Sequence, residues 1–321
     1  MIGLHLLLLA FATAVGAPRM LARAGWVHRS PRLGIAAWYA TLAAIATAGL
    51  GAAFALLAPW QASDAPVCVA WRWCVEAAGG GYGVAGRLVS YAVLVAASLV
   101  VARMLATIAR AVRAGAQRRR DHVNTLDLAG RVAPELGATV VQHPQPAAYV
   151  VAGHRRRVVV TTGALYTLSA DELAAVLAHE RAHATGRHDL IIDGIRLLHH
   201  ALPNSTLLAC ARRELGRLVE MRADDVAIRS HERISLARAL VAMAAKVSSS
   251  APASAPLAPV LAATGGDALA RMNRLLDPPT PLRRTHRWAL AAGLALLAAA
   301  PAGLLLAAHV FPVLGMCPTL S

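Results

Sequence analysis

A long stretch without charge is the feature that most restricts the fold of this chain. Residues 33–60 contain no charged side chain, and the run is longer than the roughly 20 apolar residues that cross a bilayer as a helix. Similar runs cover residues 88–109, with a single arginine, and residues 288–315. The N-terminal run 1–18 is shorter, but arginines follow it and none precedes it, which favours a retained anchor over a cleaved signal peptide. The sequence therefore predicts a multi-pass membrane protein with four transmembrane helices.

Arginine clusters beside these runs predict one orientation in the membrane. The formal net charge is +15, and arginines concentrate at residues 19–32, 110–120 and 283–287. The positive-inside rule then places residues 110–287 in the cytoplasm and the loop 61–86, the N-terminus and the C-terminus outside. An arginine run without interleaved aromatic residues favours attachment to a membrane surface over nucleic-acid binding. We therefore expect the lipid bilayer as a partner and no direct contact with nucleic acid.

Cysteine and arginine usage bear on the compartment. Cys68 and Cys74 fall in the predicted outer loop, where they can form a disulfide, although two free thiols are an equal alternative. All but one of the 32 lysine and arginine residues are arginine. Such usage is typical of a GC-rich bacterial genome, so we expect the protein in a bacterial cell membrane.

The stretch between the third and fourth apolar runs is long enough for one hydrophobic core. Its pattern predicts an α+β domain that is mainly α. The predicted segments are a helix within 121–137, strands at 138–142, 147–153 and 156–165, further helices, a low-complexity linker at 246–266, and a short helix ended by prolines within 267–281. The extended segment 156–163 is expected to offer a free edge to a substrate strand.

One predicted helix carries the stretch VLAHERAH, with His179 and His183 four residues apart and Glu180 directly after the first. Ser169 and Glu172 form a capping-box pattern that predicts the start of this helix about ten residues before the motif. Residues four apart share a helical face, so the two imidazoles can bind one zinc ion. Glu180 lies about 100° round and can take a proton from a water beside the metal. A helix with two satisfied histidines is the structural alternative.

A hydrolytic zinc site normally has three protein ligands, so a third must come from another segment. The stretch RLVEMRADDVAI places Glu220 and Asp224 four residues apart on a second predicted helix. Glu220 is the predicted third ligand, and Asp224 the residue that orients a ligand histidine. Asp189, six positions after His183, is the rival ligand, and a solvated acid pair is the alternative for Glu220. His231 could also face the metal, although a surface histidine is the favoured interpretation.

These segments together resemble the membrane-bound zinc peptidases of the BlaR/MecR antirepressor type and, more distantly, the HtpX membrane peptidases. The similarity lies in VVVTTGAL, LAAVLAHERAH, RHDL, LVEMRADDVAI and RMNRLLDP, which cover most of residues 145–280. Three predicted spans before the domain and one after it favour the antirepressor branch. The resemblance implies zinc (Zn2+) as cofactor, with Glu180 as general base, Asp224 in support, and the three ligands His179, His183 and Glu220.

The implied function is that of an integral membrane zinc endopeptidase that cleaves a cytoplasmic protein, with a transcriptional repressor as the substrate in the antirepressor branch. A quality-control protease for membrane proteins and a non-enzymatic signalling scaffold are the alternatives. The expected domains are a membrane region 1–109, a zincin-like peptidase domain 110–287, and a C-terminal span with a short outer tail 288–321. The β-lactam sensors of this family continue into a penicillin-binding domain after the last span. The sequence stops at Ser321, so we expect no β-lactam sensing of that kind.

Overall fold

The computed structural model of the chain describes residues 2–57, 83–151, 156–250 and 269–313. In chain order the elements are α1 (Ile2–Arg23), α2 (Gly25–Arg29), α3 (Pro31–Leu57), α4 (Gly83–Ala129), β1 (Gly130–Ala133), β2 (Ala138–Val141), β3 (Ala148–Val151), β4 (Arg157–Thr161), α5 (Thr162–Thr167), α6 (Ala170–Thr185), α7 (His188–Ala201), α8 (Thr206–Ala227), α9 (Arg233–Ser250), α10 (269–276) and α11 (Arg284–Val313). The fold is α+β and mainly helical, as predicted. The predicted pairing of Cys68 with Cys74 lies outside the described residues.

Three helices of the described part are long and apolar enough to cross a membrane, over Leu4–Arg23, Pro31–Ala52 and Arg284–Leu304. They correspond to the first, second and fourth predicted spans. The third predicted span, 88–109, falls within the 47-residue α4. Most of its side chains up to residue 101 lie outside the described part, so this span stays a prediction. Helix α4 also runs through the predicted domain boundary at residue 110 without interruption.

The candidate spans and the α+β domain share one apolar cluster, which fixes α8 relative to the membrane helices. Trp38 of α3 is fully buried beside Leu215 of α8 and Ile195 of α7. Gly34 permits this close approach, because a Cβ at that position would lie 3.1 Å from Cδ1 of Leu218. Packing at the start of a candidate span therefore sets the position of the helix that carries the predicted acid pair.

The sheet has four strands in the order β1-β2-β4-β3, with β2 and β4 parallel and both outer pairs antiparallel. The strands predicted at 138–142 and 147–153 correspond to β2 and β3. The strand predicted at 156–165 is shorter than expected: residues 157–161 form β4, but 162–165 belong to α5, whose first turn is capped by Thr161. Residues 130–133, predicted to be helical, instead form β1, because they pair with β2 across a tight turn. Gly137 adopts a left-handed conformation in that turn, with φ of 57°, which glycine reaches without steric cost.

The predicted free edge is misplaced by one strand. Val159 of β4 is paired with Thr139 on one side and Tyr149 on the other, so β4 lies inside the sheet. Its continuous run of three valines, 158–160, is buried, as is typical of a strand covered on both faces. The edge strands are β1 and β3, and β3 is the neighbour of β4 at its edge.

The two faces of β4 fix α6 against the sheet. Val158 and Val160 pack in one cluster with Val176 and Leu177 of α6, whereas Val159 faces the opposite way, towards α4. This alternation follows from the two-residue period of a strand. Helix α6 therefore packs across the sheet and contacts both β3 and β4.

Candidate metal centre

The helix that carries VLAHERAH forms as predicted. Ser169 Oγ accepts a hydrogen bond from the backbone N–H of Glu172, and the Glu172 carboxylate accepts one from the backbone N–H of Ser169 at 3.0 Å. This reciprocal cap satisfies two of the N–H groups that every helix start leaves without partners. One helical face then presents both histidines, with Nε2 of His179 only 3.0 Å from Nε2 of His183.

Helix α8 brings a third donor to the two imidazoles. Oε2 of Glu220 lies 3.4 Å from Nε2 of His179, and its Oε1 lies 3.5 Å from Nε2 of His183. Among the described residues, these three side chains form the group whose ligand atoms lie within 4.8 Å of one another. Donors about 2.0–2.2 Å from a tetrahedral zinc ion are themselves about 3.3–3.5 Å apart. Two imidazole nitrogens and one carboxylate at this spacing therefore fit zinc.

Glu180 lies beside this group and lines the same cleft. Burial raises the pKa of Glu180 to about 7. The positive charges of His179 and Arg271 oppose this rise, whereas the negative charge of Glu220 adds to it. The Glu180 carboxylate is not part of the three-residue group, as its position one residue after His179 requires.

Asp224 supports His179 from behind. Its Oδ1 lies 3.0 Å from Nδ1 of His179, and the residue is 1% exposed. Burial alone would lower the pKa of His179, but contacts with Asp224 and Glu220 raise it to about 9. Because Nδ1 faces Asp224, Nε2 is the nitrogen that faces Glu220 and His183, and the ring orientation is fixed.

Arg271 of α10 completes this arrangement and was not predicted. Its Nε and Nη2 donate to the two oxygens of Asp224 at 2.8 and 2.7 Å, and Nη1 lies 3.0 Å from Oε2 of Glu220. Burial alone would raise the pKa of both carboxyl groups. For Asp224, the hydrogen bonds from Arg271 and the close contact with His179 outweigh burial, and the pKa is about 2. For Glu220, the contact with His179 and the charge of Arg271 outweigh burial, and the pKa is also about 2.

His188 is the second residue that was not predicted, and it supports the other histidine. Its Nδ1 lies 3.2 Å from Nδ1 of His183. Burial lowers the pKa of both rings, that of His183 to about 4. A neutral His183 that donates its Nδ1 proton to His188 keeps the lone pair of Nε2 free for a metal. The contact depends on the turn before α7, where Arg187 adopts a left-handed conformation with φ of 50°.

The same turn explains why residue 186 is a glycine. A Cβ at this position would lie 2.9 Å from the carbonyl oxygen of Ala182 and closer still to the ring of His188. Glycine is therefore required here by the close approach of the imidazole, since its own φ of −74° suits any residue.

The two other candidate ligands lie outside the three-residue group. Asp189 accepts two hydrogen bonds from Arg156, both at 3.2 Å, and is not in the three-residue group. His231 follows the end of α8 and is not among the residues that line the cleft.

The group opens into a cleft of about 870 Å³. One wall is the free strand β3, from Ala148 to Val151, and His179 and Glu180 lie on the α6 side. Helices α4 and α7 supply charged residues to the rim, where Arg119 and Asp193 form a salt bridge at 3.1 Å. The cleft can therefore hold an extended peptide between a free strand edge and the metal ligands.

Residues 115–202 match the family model of Peptidase family M48. The matched segment includes the sheet, α6 and α7, and therefore His179, Glu180 and His183, whereas Glu220 and Asp224 lie beyond it. Neither a curated protein nor a solved structure matches the chain. The family match supports a metal-dependent protease, and the apolar helices support a membrane protein.

Proposed function

We propose that this protein is an integral membrane zinc endopeptidase that cleaves an extended segment of a cytoplasmic protein, with a regulatory effect. The observation that carries the proposal is the meeting of His179, His183 and Glu220 beside Glu180, at a cleft walled by the free edge of β3. The match of residues 115–202 to Peptidase family M48 supports it independently.

Substrate binding would use the free edge of the sheet. A peptide that pairs with β3 in extended form exposes its backbone carbonyls at regular spacing, and main-chain hydrogen bonds supply affinity without demanding one sequence. Because β3 and α6 are both fixed to β4, the strand edge and Glu180 keep a constant separation. The cleft would therefore present a chosen peptide bond to the metal ligands.

The chemical step would follow from the roles of four side chains. Zinc held by His179, His183 and Glu220 would acidify a water molecule and polarise the scissile carbonyl. Glu180 would take the proton of the attacking water and pass it to the leaving amine, which needs a carboxylate beside the ligands rather than among them.

The supporting residues would keep the ligands in place during this step. Asp224 and His188 each occupy the Nδ1 side of one ligand histidine, so each ring can turn only its Nε2 towards the metal. Arg271 fixes the carboxylates of Asp224 and Glu220 at the same time. Loss of such partners typically costs about 10- to 100-fold in metal affinity.

The test is to separate metal binding from catalysis in the full-length protein in detergent. Glu180→Gln should keep the zinc content of the wild type, because no ligand is changed, but should reduce peptide hydrolysis by about 10²- to 10⁴-fold. Asp171→Asn is the matched control, since Asp171 is an exposed carboxylate in the first turn of the same helix. If Glu180→Gln hydrolysed peptides at the wild-type rate, the proposed endopeptidase activity would be refuted, and a non-enzymatic signalling scaffold would be favoured. Loss of zinc from this variant would make Glu180 a ligand.

The substrate class can be tested with the same variant. Proteins that accumulate uncleaved in cells with Glu180→Gln should include a soluble cytoplasmic regulator, as the antirepressor resemblance implies. Accumulation of membrane proteins alone would favour the quality-control alternative. A reporter fused after residue 250 should be active in the cytoplasm; activity outside the membrane would contradict a cytoplasmic substrate.

A further inference from the structure

A second cavity of about 440 Å³ lies where two candidate spans begin. Its lining comes from the start of α3, the end of α8, the start of α9 and the start of α11. We call it the arginine pocket, because six arginines line it: Arg29, Arg32, Arg222, Arg229, Arg233 and Arg287. Helices α3 and α11 each enter a candidate span from this point, so the pocket lies level with one end of both spans.

The positive charge of the arginine pocket has little compensation. Asp225 is the one acidic residue of the lining, and its Oδ1 is already bound by Nη1 of Arg274 at 2.6 Å. Within the described part of the chain, no salt bridge joins any of the six pocket arginines to a carboxylate. Burial lowers the pKa of Arg222, and the charges of Arg229 and Arg32 lower it further while Asp225 opposes them. The arginines therefore repel one another in the absence of a bound anion.

Two further features of the arginine pocket suit a phosphate that carries an apolar tail. Ser30, Pro31 and Arg32 bring the N-terminus of the 27-residue α3 to the wall, where first-turn N–H groups and the helix dipole favour an anion. Ile228 and Leu282 add apolar surface beside the arginines. Arginine also matches phosphate geometry, because its planar guanidinium can donate two parallel hydrogen bonds.

We propose that the arginine pocket binds the phosphate group of an anionic phospholipid. A lipid is the preferred source of the phosphate because both span entrances lie at the pocket, and a headgroup occupies that depth in a bilayer. Basic pockets between transmembrane helices are known to bind anionic headgroups. The proposal does not depend on the proteolytic function, since the arginine pocket and the metal centre share no lining residue.

The test is lipid binding by the full-length protein in a neutral detergent, which removes the general attraction of arginines to an anionic membrane surface. Short-chain phosphatidylglycerol, short-chain phosphatidylcholine and inorganic phosphate are titrated separately, and bound ligand is counted by native mass spectrometry. Wild-type protein should bind one phosphatidylglycerol at least about tenfold more tightly than either other ligand. The double variant Arg229→Gln/Arg233→Gln should lose about tenfold or more of that affinity, because each guanidinium supplies charge-assisted hydrogen bonds.

The matched control removes the same charge close by. Arg283→Gln/Arg284→Gln changes two arginines at the start of α11 that are exposed, as Arg229 and Arg233 are, but do not line the arginine pocket. Its affinity should stay within about twofold of the wild type. An equal loss in both double variants would refute a specific pocket. Inorganic phosphate bound as tightly as phosphatidylglycerol would refute a lipid site, and so would equal binding of the two lipids. Circular dichroism of each variant checks that the affinities are compared between folded proteins.

Discussion

The candidate metal centre and the arginine pocket are both built from charged side chains. Opposite charges are paired in the first, whereas positive charges are in excess in the second. In the candidate metal centre the two acids of α8 have partners: Asp224 contacts both His179 and Arg271, and Glu220 contacts the same two residues. In the arginine pocket six positive groups face one carboxylate, which Arg274 already occupies. A compensated network fixes geometry, whereas an uncompensated one leaves interaction energy for a ligand of opposite charge.

One helix supplies both regions. Glu220 and Asp224 lie on one face of α8, while Arg222 and Asp225 lie on a face about 150° away at 100° per residue. Two arginines of α10 reach the two faces separately, Arg271 to Asp224 and Arg274 to Asp225. Arg274 also donates to the backbone carbonyl of His28 in α2. Helix α10 therefore ties the candidate metal centre and α2 to the same stretch of α8.

The largest effect should come from removing the third ligand. Glu220→Ala should strip most of the zinc from the purified protein, because a three-ligand site then has only two imidazoles left. Asp189→Ala is the control, since its carboxylate is held by Arg156 and lies outside the ligand group. Elemental analysis of both variants decides the point. If Asp189→Ala lost zinc and Glu220→Ala kept it, the compensated network would not be the metal site.

Sequence spacing predicted the parts of the metal centre that a single helix dictates. His179, Glu180 and His183 follow from the helical period and the Ser169 cap, and Glu220 with Asp224 from the same period on a second helix. Arg271 opens the segment RMNRLLDP of the resemblance, but it was given no role, because no spacing rule relates it to Asp224, 47 positions away. His188 depends on the left-handed backbone of Arg187, a conformation that non-glycine sequences rarely indicate.

The fold was predictable to a similar depth. Strands β2, β3 and β4 follow from β-branched runs, but their order in the sheet is a tertiary property, and the free edge was assigned to β4 instead of β3. The valine run 158–160 held the information, since continuous apolar residues indicate a strand covered on both faces. Strand β1 was missed because four residues directly after the long α4 carry no strand pattern of their own, and they form a strand only by pairing with β2.

A smaller effect should follow from removing the ion pairs that Arg271 of α10 forms with Asp224 and Glu220. Arg271→Gln leaves Asp224, which is 1% exposed, without its bidentate partner. Loss of one partner of a buried ion pair costs about 3–5 kcal/mol, which corresponds to a fall of about 6–20 °C in the unfolding midpoint. Zinc affinity should also fall by about 10- to 100-fold, since Asp224 no longer holds His179 in place.

Arg274→Gln is the matched control on the same helix. Its partner Asp225 has a side chain that is 25% exposed, so water can replace that contact. The variant also loses the hydrogen bond to the His28 carbonyl, and the midpoint should fall by about a third as much. Thermal unfolding of the zinc-loaded protein measures both changes. Equal shifts for the two variants would mean that burial of Asp224 does not distinguish the two regions.

The smallest effect should come from Asp225→Asn, and it should have the opposite sign. Asp225 is the one acid among the residues that line the arginine pocket, so its charge opposes any bound phosphate. The amide keeps the shape of the side chain, and its oxygen can still accept a hydrogen bond from Arg274, so the fold should change little. Removing one negative charge within about 8 Å of the phosphate, at an effective dielectric constant of about 60, stabilises the complex by about 0.7 kcal/mol.

That energy corresponds to a rise of about threefold in affinity for phosphatidylglycerol. Asp277→Asn is the control, because Asp277 is exposed after α10 and does not line the arginine pocket, and its affinity should not change. A gain confined to Asp225→Asn would show that the excess positive charge is what binds the lipid. A loss of affinity would mean that the Asp225–Arg274 pair shapes the site, and the contrast between a compensated and an uncompensated region would fail.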